Sequence, residues 1–328
     1  MPPFILVGLA AGAASALLFL SATAGNPAGR LLLFFLAPLP AFLAGLGWGH
    51  MAAAVSAVSA SLGCAAFLGL SSGFVVFLSQ GVPVTALCYL AQLGRPVGAG
   101  ATVGPAPVAP AIEWFPVGHM IAAATAMAGL MAGGSLLLMG GSIEDIRAFM
   151  QELVEKVFLK QIPGLKDQPL KPEDITRLTE LTLYSFPASV AFAWLGGLLL
   201  NLYLAGRITL ASGRLPRPWP DLAAITFPRG FGAGLALAFL GVAQLSGYPA
   251  LIASGFAGAF LLAYLMMGLA VAHFVTRGNP ARSFILWGVY LGLVVLNTWA
   301  ALIIAILGAL EPILPWRRWK KPPGEGGT

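Results

Sequence analysis

Long apolar runs separated by short breaks make up most of the chain. The first covers Phe4 to about Leu20, and three more follow at about Leu31 to Trp48, His50 to Leu70 and Phe74 to Leu93. Each is close to the ~20 residues that a helix needs to cross a ~30 Å hydrocarbon core. The links are very short, as at Gly47-Trp48-Gly49-His50. We therefore expect residues 1–93 to form an N-terminal four-helix membrane region of tight antiparallel hairpins.

The first run has two interpretations, a membrane span or a secretory signal peptide. Ala22-Thr23-Ala24 resembles a cleavage site, whereas Met1-Pro2-Pro3 lacks the Lys or Arg of a typical signal. We expect a span.

Polar segments interrupt the rest of the chain. We predict a Gly/Pro-rich loop at residues 94–115 and a fifth span at 116–141. Residues 142–180 hold eight of the twelve acidic residues, and their apolar positions recur at helical spacing. This pattern predicts an amphipathic helix, on the membrane surface or against the bundle, and then a polar loop. The apolar positions are Ile143, Ile146, Phe149, Leu153 and Val157.

A C-terminal membrane region is predicted for residues 181–315, and a basic, anchor-like tail for 316–328. An arginine-rich loop, 207–229, follows the first span of this region. The predicted total is nine spans, or eight if one is re-entrant. The spans of this region are about Leu181 to Ala205, Phe231 to Leu245, Leu251 to Val275 and Phe284 to Ala309.

Composition identifies the solvent of these helices. Hydrophobic residues make up 58% of the chain and charged residues 9%, against about 25% charged in a soluble domain. So few charges cannot cover a water-exposed surface. A transmembrane barrel would show short alternating segments, whereas these runs are continuous. We predict an all-α, polytopic transmembrane helical bundle in a bacterial inner membrane, with the lipid bilayer as its solvent.

The formal net charge of +6 does not indicate nucleic acid as a partner, because the positive residues lie mostly in loops and the tail. The loops 207–229 and 277–282, two spans apart, should share a side of the membrane. We expect that side to be cytoplasmic, although the basic tail should then lie opposite.

Motifs for catalysis and for nucleotide binding are absent from the sequence, so we expect neither enzymatic activity nor a cofactor. His50, His119 and His273 share no metal-ligand spacing, and we predict no metal site. Cys64 and Cys88 lie inside apolar runs, where packing is their expected role.

Few ionisable residues fall inside the predicted spans, which argues against an ion-coupled pump. Glu113 and Glu311 flank spans and should lie near the headgroups. Glu113, His119, Asn201 and Asn297 are candidate ligand-binding residues. The alternative for the amides is hydrogen bonding between helices.

Small residues four apart recur along the first run. Gly8 and Gly12 form one such pair, and Ala10 and Ala14 another. Such faces allow close helix packing, either within the chain or against a partner subunit.

Three stretches together resemble the YybS-like family of bacterial membrane proteins. They are Asn201-Leu202-Tyr203-Leu204-Ala205-Gly206-Arg207-Ile208 with the Ser212–Asp221 segment, then Gly268-Leu269-Ala270-Val271-Ala272-His273-Phe274-Val275-Thr276-Arg277, and the ending Leu307-Gly308-Ala309-Leu310-Glu311 before Arg317-Arg318. The resemblance covers essentially the whole chain. The family pattern has aspartate where Glu311 stands, which puts a specific role of that carboxylate in doubt.

That family is distantly similar to the substrate-binding (S) components of energy-coupling factor vitamin transporters and to rod-shape proteins of the MreD type. The similarity implies a helical core that holds a small organic solute. It also implies that small residues of the first helix, here Gly8, Ala10, Gly12 and Ala14, dock a coupling subunit.

Two hypotheses result. The chain is a solute-binding transport component, or it is a non-catalytic scaffold or assembly subunit of a larger membrane complex. An intramembrane enzyme acting on lipid, with Glu113 and His119 in a lipid-accessible cleft, is a third and weaker alternative.

Overall fold

A computed structural model describes residues 2–23, 26–97, 111–140, 142–158, 171–314 and 316–319. Across these ranges the chain is almost wholly helical, which confirms the predicted all-α class. Seven described helices are long and apolar enough to cross a membrane, and three shorter apolar helices accompany them. The chain is an integral, multi-pass membrane protein.

The first half of the chain forms seven helices and one β-ribbon. A π-helical turn, Phe77–Gly81, joins α5 to α6. The helices are α1 (Pro3–Ser21), α2 (Pro27–Leu36), α3 (Leu39–Trp48), α4 (His50–Leu68), α5 (Leu70–Val76), α6 (Val82–Gln92) and α7 (Val117–Leu136), and the strands are β1 (Gly94–Val97) and β2 (Ala111–Trp114).

The described residues of the second half form seven further helices. A π-helical turn, Val154–Phe158, follows α8, and a 3-10 turn, Leu222–Ala224, precedes α10. The helices are α8 (Ile143–Leu153), α9 (Pro172–Ala211), α10 (Phe231–Gln244), α11 (Gly247–Val275), α12 (Arg282–Val295), α13 (Thr298–Leu310) and α14 (Trp316–Trp319).

The chain divides into two compact units. Unit 1 contains Met1–Ala124 and Gly196–Asp221, and unit 2 contains Thr125–Leu195 and Leu222–Thr328.

Three sequence predictions about local structure were wrong. The Gly/Pro-rich loop contains an antiparallel ribbon, in which Arg95 pairs with Glu113. Residues 172–180, predicted as part of a polar loop, belong to the 40-residue α9, whose first turn carries the acidic residues that a helix N-terminus favours. The span predicted from Phe284 to Ala309 is two short helices, because the backbone at Asn297 leaves the helical conformation, with a φ of 41°.

In unit 1, α1 packs closely on α4. A Cβ added to Gly8 would lie 2.8 Å from the Ala52 carbonyl oxygen, and one added to Gly12 would lie 2.6 Å from that of Ser56. The Gly8–Gly12 face of α1 therefore packs against α4 within unit 1. Ala10 is exposed and Ala14 half-buried, and partner docking by this helix stays a prediction.

The amphipathic helix α8 packs against the bundle, which is one of its two predicted positions. Ser142 and Asp145 form a capping box at its start. Its buried Ile146 and Met150 join Leu136, Leu183 and Leu251 in one apolar cluster. Phe149, predicted on the apolar face, is 44% exposed.

Candidate functional site

Two short helices of unit 2, α10 and α13, each cover only part of the long helix α11. The 29 residues of α11 make it about 44 Å long, whereas the 14 residues of α10 and the 13 of α13 give about 20 Å each. Both short helices run antiparallel to α11. The helix α10 begins near the middle of α11, and α13 ends near it.

Contacts along α11 show which of its residues lie beside α10 and α13. The Phe231 ring, at the start of α10, lies 5.6 Å from the Tyr264 ring. Near the end of α13, Gly308 touches the carbonyl oxygen of Tyr264, and earlier in that helix Ile304 touches Gly268. The first residue of α10 and the last turn of α13 therefore lie at the level of Tyr264.

This level is far from both ends of α11. Thirteen residues separate Tyr264 from Leu251, which packs with the amphipathic helix, and eleven separate it from Val275. At 1.5 Å per residue these are distances of about 20 Å and 17 Å. With a hydrocarbon core of ~30 Å, the Tyr264 level lies inside the membrane.

An ion pair lies at this level. Glu311 directly follows α13, and its Oε1 accepts a 2.9 Å hydrogen bond from Nε of Arg317. The two side chains are only 12% and 10% exposed. This position does not fit the prediction that Glu311 lies near the headgroups. It also places one carboxylate at a level where the prediction against ion coupling assumed none.

Within the described part of the chain, the Arg317 side chain has further hydrogen-bond partners, whereas the Glu311 side chain has none. Nη1 of Arg317 donates to the carbonyl oxygens of Ala223 and Ile225, at 3.1 Å and 2.8 Å. Its Nη2 lies 3.1 Å from the Met267 sulfur. Oε2 of Glu311 is buried and has no hydrogen-bond partner. The guanidinium group is therefore held by the backbone as well as by the carboxylate.

An aromatic cluster flanks the ion pair. The Phe227 ring lies 4.4 Å from that of Phe231 and 5.4 Å from that of Tyr264. Phe231 also packs on Phe260, at 4.9 Å. Arg317 donates to the carbonyl oxygen of Ile225, and Phe227 lies two residues further along the chain. The site therefore combines a charged pair with apolar ring surfaces.

Unit 1 contains a different polar region, where three arginines of the 207–229 loop each lie over a tryptophan ring. Cation–π contacts of this kind suit the membrane interface, where both side chains have one apolar and one polar part. The distances from guanidinium carbon to ring centroid are 5.2 Å for Arg207 and Trp219, 4.3 Å for Arg214 and Trp48, and 5.9 Å for Arg217 and Trp114.

Arg217 is the most enclosed of the three. Its Nη1 donates to the carbonyl oxygens of Phe115 and Ala91, at 3.3 Å and 3.5 Å, while its Nε is buried without a partner. Burial lowers the pKa of Arg217 from its ordinary value. Since this arginine ties separate segments of the unit together, its contacts are those of a structural group.

The four residues predicted to bind a ligand are not joined to one another by any hydrogen bond or ion pair found among the described residues. Glu113 pairs with the exposed Arg95, at 2.6 Å. His119 is exposed, and its ring packs edge-on to Phe115. Asn297 is exposed at the break before α13. Their ligand-binding role stays a prediction.

Asn201 serves the alternative role, that of linking helices. It is fully buried, and its Nδ2 donates to the carbonyl oxygens of Phe35 and Gly197, at 2.6 Å and 2.7 Å. Gln92 acts likewise, donating to the Gly45 carbonyl and accepting from the His50 amide.

A shallow depression of about 370 Å³ lies in unit 1, among α1, α2 and the residues between them. The only charged side chain in its wall is Arg30, whose Nε already donates to the Ala22 carbonyl oxygen at 3.1 Å. It therefore offers less chemistry than the ion pair of unit 2.

Arg317 was not predicted as a site residue, because it lies in the basic segment predicted to be an anchoring tail. One signal was present, since Glu311 and Arg317 are six residues apart across a proline-containing turn at the end of an apolar run. Hydropathy could not show that this run ends in the middle of a longer helix.

Fold and site together define the class of protein. It is a polytopic membrane protein that has discontinuous helices and an ion pair at the level of the hydrocarbon core. Comparisons with protein-family models, with curated proteins and with solved structures find no match. Among the described residues, no group of three or more His, Cys, Asp or Glu side chains could hold a metal ion.

Proposed function

We propose that this protein is a transport component of a bacterial inner membrane that binds a small organic solute at the Glu311–Arg317 pair. The observation that carries the proposal is the meeting of two partial helices at an ion pair within the membrane. Discontinuous helices place polar backbone groups and charges where a solute can reach them, and many transporters bind substrate in this way.

The aromatic cluster of Phe227, Phe231, Phe260 and Tyr264 supports an organic solute rather than an inorganic ion. Ligand sites are mostly apolar, with a few polar groups that set the orientation. Here Arg317 supplies the polar group, and the rings supply apolar surface beside it.

The energy for transport has to come from outside the chain, because the sequence has no nucleotide-binding motif. A partner subunit would supply it if the chain works like the S components that it resembles. An ion gradient is the other source.

The test is ligand-dependent thermal unfolding of the purified protein in lipid nanodiscs, against a panel of vitamins and small carboxylates. The panel is run on the wild type, on Arg317→Gln and on a control, Arg95→Gln, which removes an arginine from an exposed ion pair. We expect at least one solute to raise the unfolding temperature of the wild type and the control but not of Arg317→Gln. Stabilisation by no solute, or equal stabilisation of all three proteins, would refute the proposal.

The scaffold function is favoured by a different observation. None of the fourteen residues of α12, all of them described, is buried. Phe284, Trp287 and Val294 are 76%, 62% and 79% exposed, so the helix has surface for another membrane subunit as well as for lipid.

A photo-crosslinking residue at position 287, compared in cells with one at the equally exposed Leu62 of α4, tests the scaffold function. A single protein crosslinked only from position 287, and recovered in equal amount with the chain in mild detergent, is the expected result. Lipid adducts alone at both positions would count against a scaffold.

A further inference from the structure

We propose that the solute is an organic anion that replaces Glu311 as the partner of Arg317, and that Glu311 takes up one proton as the anion binds. The inference rests on the proposed function and adds the solute's charge and its coupling to protons. The argument depends on the charge balance of the site, the weak attachment of Glu311 and the groups around it.

Charge balance requires the proton. Before binding, the site holds one positive charge on Arg317 and one negative charge on Glu311. An added anion would leave a net negative charge inside the membrane, where an uncompensated charge is strongly disfavoured. A proton from water that forms an O–H bond on the Glu311 carboxylate makes the net charge zero again. One anion and one proton therefore enter the site together.

Glu311 is the partner that can be displaced. It holds Arg317 through Oε1 alone, and its Oε2 is buried without a hydrogen bond. Arg317 keeps the carbonyl oxygens of Ala223 and Ile225 when the carboxylate leaves. The guanidinium group therefore stays in place to receive the anion.

The position of Glu311 in its helix leaves the carboxylate charge poorly stabilised once the ion pair is broken. Glu311 is the C-cap of α13, where the helix dipole is negative and an ionised carboxylate is disfavoured. A neutral carboxylic acid can donate a hydrogen bond there, which the ionised group cannot.

Few other titratable groups lie on the elements packed around the pair. The helix α11 carries Tyr248, Tyr264 and His273, and the His273 ring bonds to the Tyr290 hydroxyl at 2.8 Å, about two turns from Met267. The helices α10 and α13 and the Leu222–Ala224 turn carry none, and α14 carries Arg318 beside Arg317. Among the described residues, Glu311 is thus the carboxylate that lies beside Arg317 at this level.

The experiment measures proton uptake as a named anion binds to the full-length protein in nanodiscs. Benzoate is the probe, and benzamide is its neutral counterpart of the same shape. Calorimetry in two buffers of different ionisation enthalpy gives both affinity and protons bound. We expect about one proton per benzoate, and an affinity that falls about tenfold per pH unit where free Glu311 is ionised.

Variants separate the roles of the two residues. Glu311→Gln should bind benzoate without proton uptake and without the pH dependence, and more tightly than the wild type near neutral pH, because Arg317 then lacks its internal anion. Arg317→Gln should not bind it. Another exposed pair supplies the matched control, since Glu152→Gln, which removes the partner of Lys156, should behave as the wild type does. Size-exclusion chromatography in each case shows whether the variant is folded.

The measurements on the wild type do not depend on the variants. Benzoate binding without proton uptake, or equal binding of benzamide, overturns this inference and leaves the proposed function standing if Arg317 is still needed. Failure of the proposed function gives a different result, in which no solute of any charge stabilises the protein through Arg317.

Discussion

The Glu311–Arg317 pair gives the sharpest prediction about stability, because the chain also contains a matched exposed pair. Glu311→Gln removes the carboxylate charge but preserves the side-chain volume. The same change at Glu113 acts on an ion pair with Arg95 whose side chains are 53% and 78% exposed. The two variants thus differ mainly in the environment of the arginine left behind.

The expected magnitudes follow from burial. Breaking a buried pair by removing one partner costs about 3–5 kcal/mol, because an uncompensated charge remains. Two carbonyl oxygens still contact Arg317, which places Glu311→Gln near the lower end, at about 3 kcal/mol. Glu113→Gln should cost about 0–1 kcal/mol, as exposed pairs do. The difference corresponds to about a 100-fold change in the unfolding equilibrium.

The assay is reversible unfolding in mixed lipid–detergent micelles with increasing dodecyl sulfate, followed by circular dichroism and by the fluorescence of the eight tryptophans. Arg317→Gln should cost about 4 kcal/mol, because it leaves the Glu311 carboxylate buried without its partner. The double variant should cost less than the sum of the two single variants. Equal losses for Glu311→Gln and Glu113→Gln would show that the ion pair is not shielded from water, and the reasoning would fail.

Three further predictions concern packing and can be measured in the same unfolding assay. Asn201→Ala should cost about 2 kcal/mol, because the buried carbonyl oxygen of Phe35 loses its donor. Gly268→Ala should cost at least about 2 kcal/mol, because its Cβ would overlap the backbone of α13. Gly288→Ala, which meets open space in α12, should instead be neutral or stabilise by up to about 1 kcal/mol, and a similar loss for both glycines would contradict the packing of α13 on α11. Ser142→Ala should cost about 1 kcal/mol through the lost capping box, visible as faster amide exchange in α8, and unchanged exchange there would argue against the cap.

Composition and periodicity predicted the solvent and the class of fold correctly. The hairpin at Gly49 is one example, since α3 ends at Trp48, α4 begins at His50, and Gly49 has a φ of 102° that favours glycine. The amphipathic helix predicted after residue 142 is another, and it begins at Ile143. Such features depend on residues near one another in the chain, so the sequence shows them directly.

Hydropathy was a poor guide to helix continuity. The second apolar run breaks at Ala37 and Pro38, and the last one breaks at Leu296 and Asn297. A window of about 20 residues averages over such breaks, since one proline or asparagine changes the mean very little. Hydropathy also did not predict that α9 includes residues 172–180, because a helix can continue beyond the hydrocarbon core into water.

The sequence by itself determined that this chain crosses a lipid bilayer as helices. In such long apolar runs only helices satisfy the hydrogen-bonding groups of the backbone. The depth of Glu311 and the burial of Arg317 were decided by the tertiary structure alone. Two side chains near the end of the chain become a buried pair only because α13 stops at the level of Tyr264 and the chain then turns back toward Met267. That arrangement depends on contacts between residues about 40 to 95 positions apart, which no local pattern records.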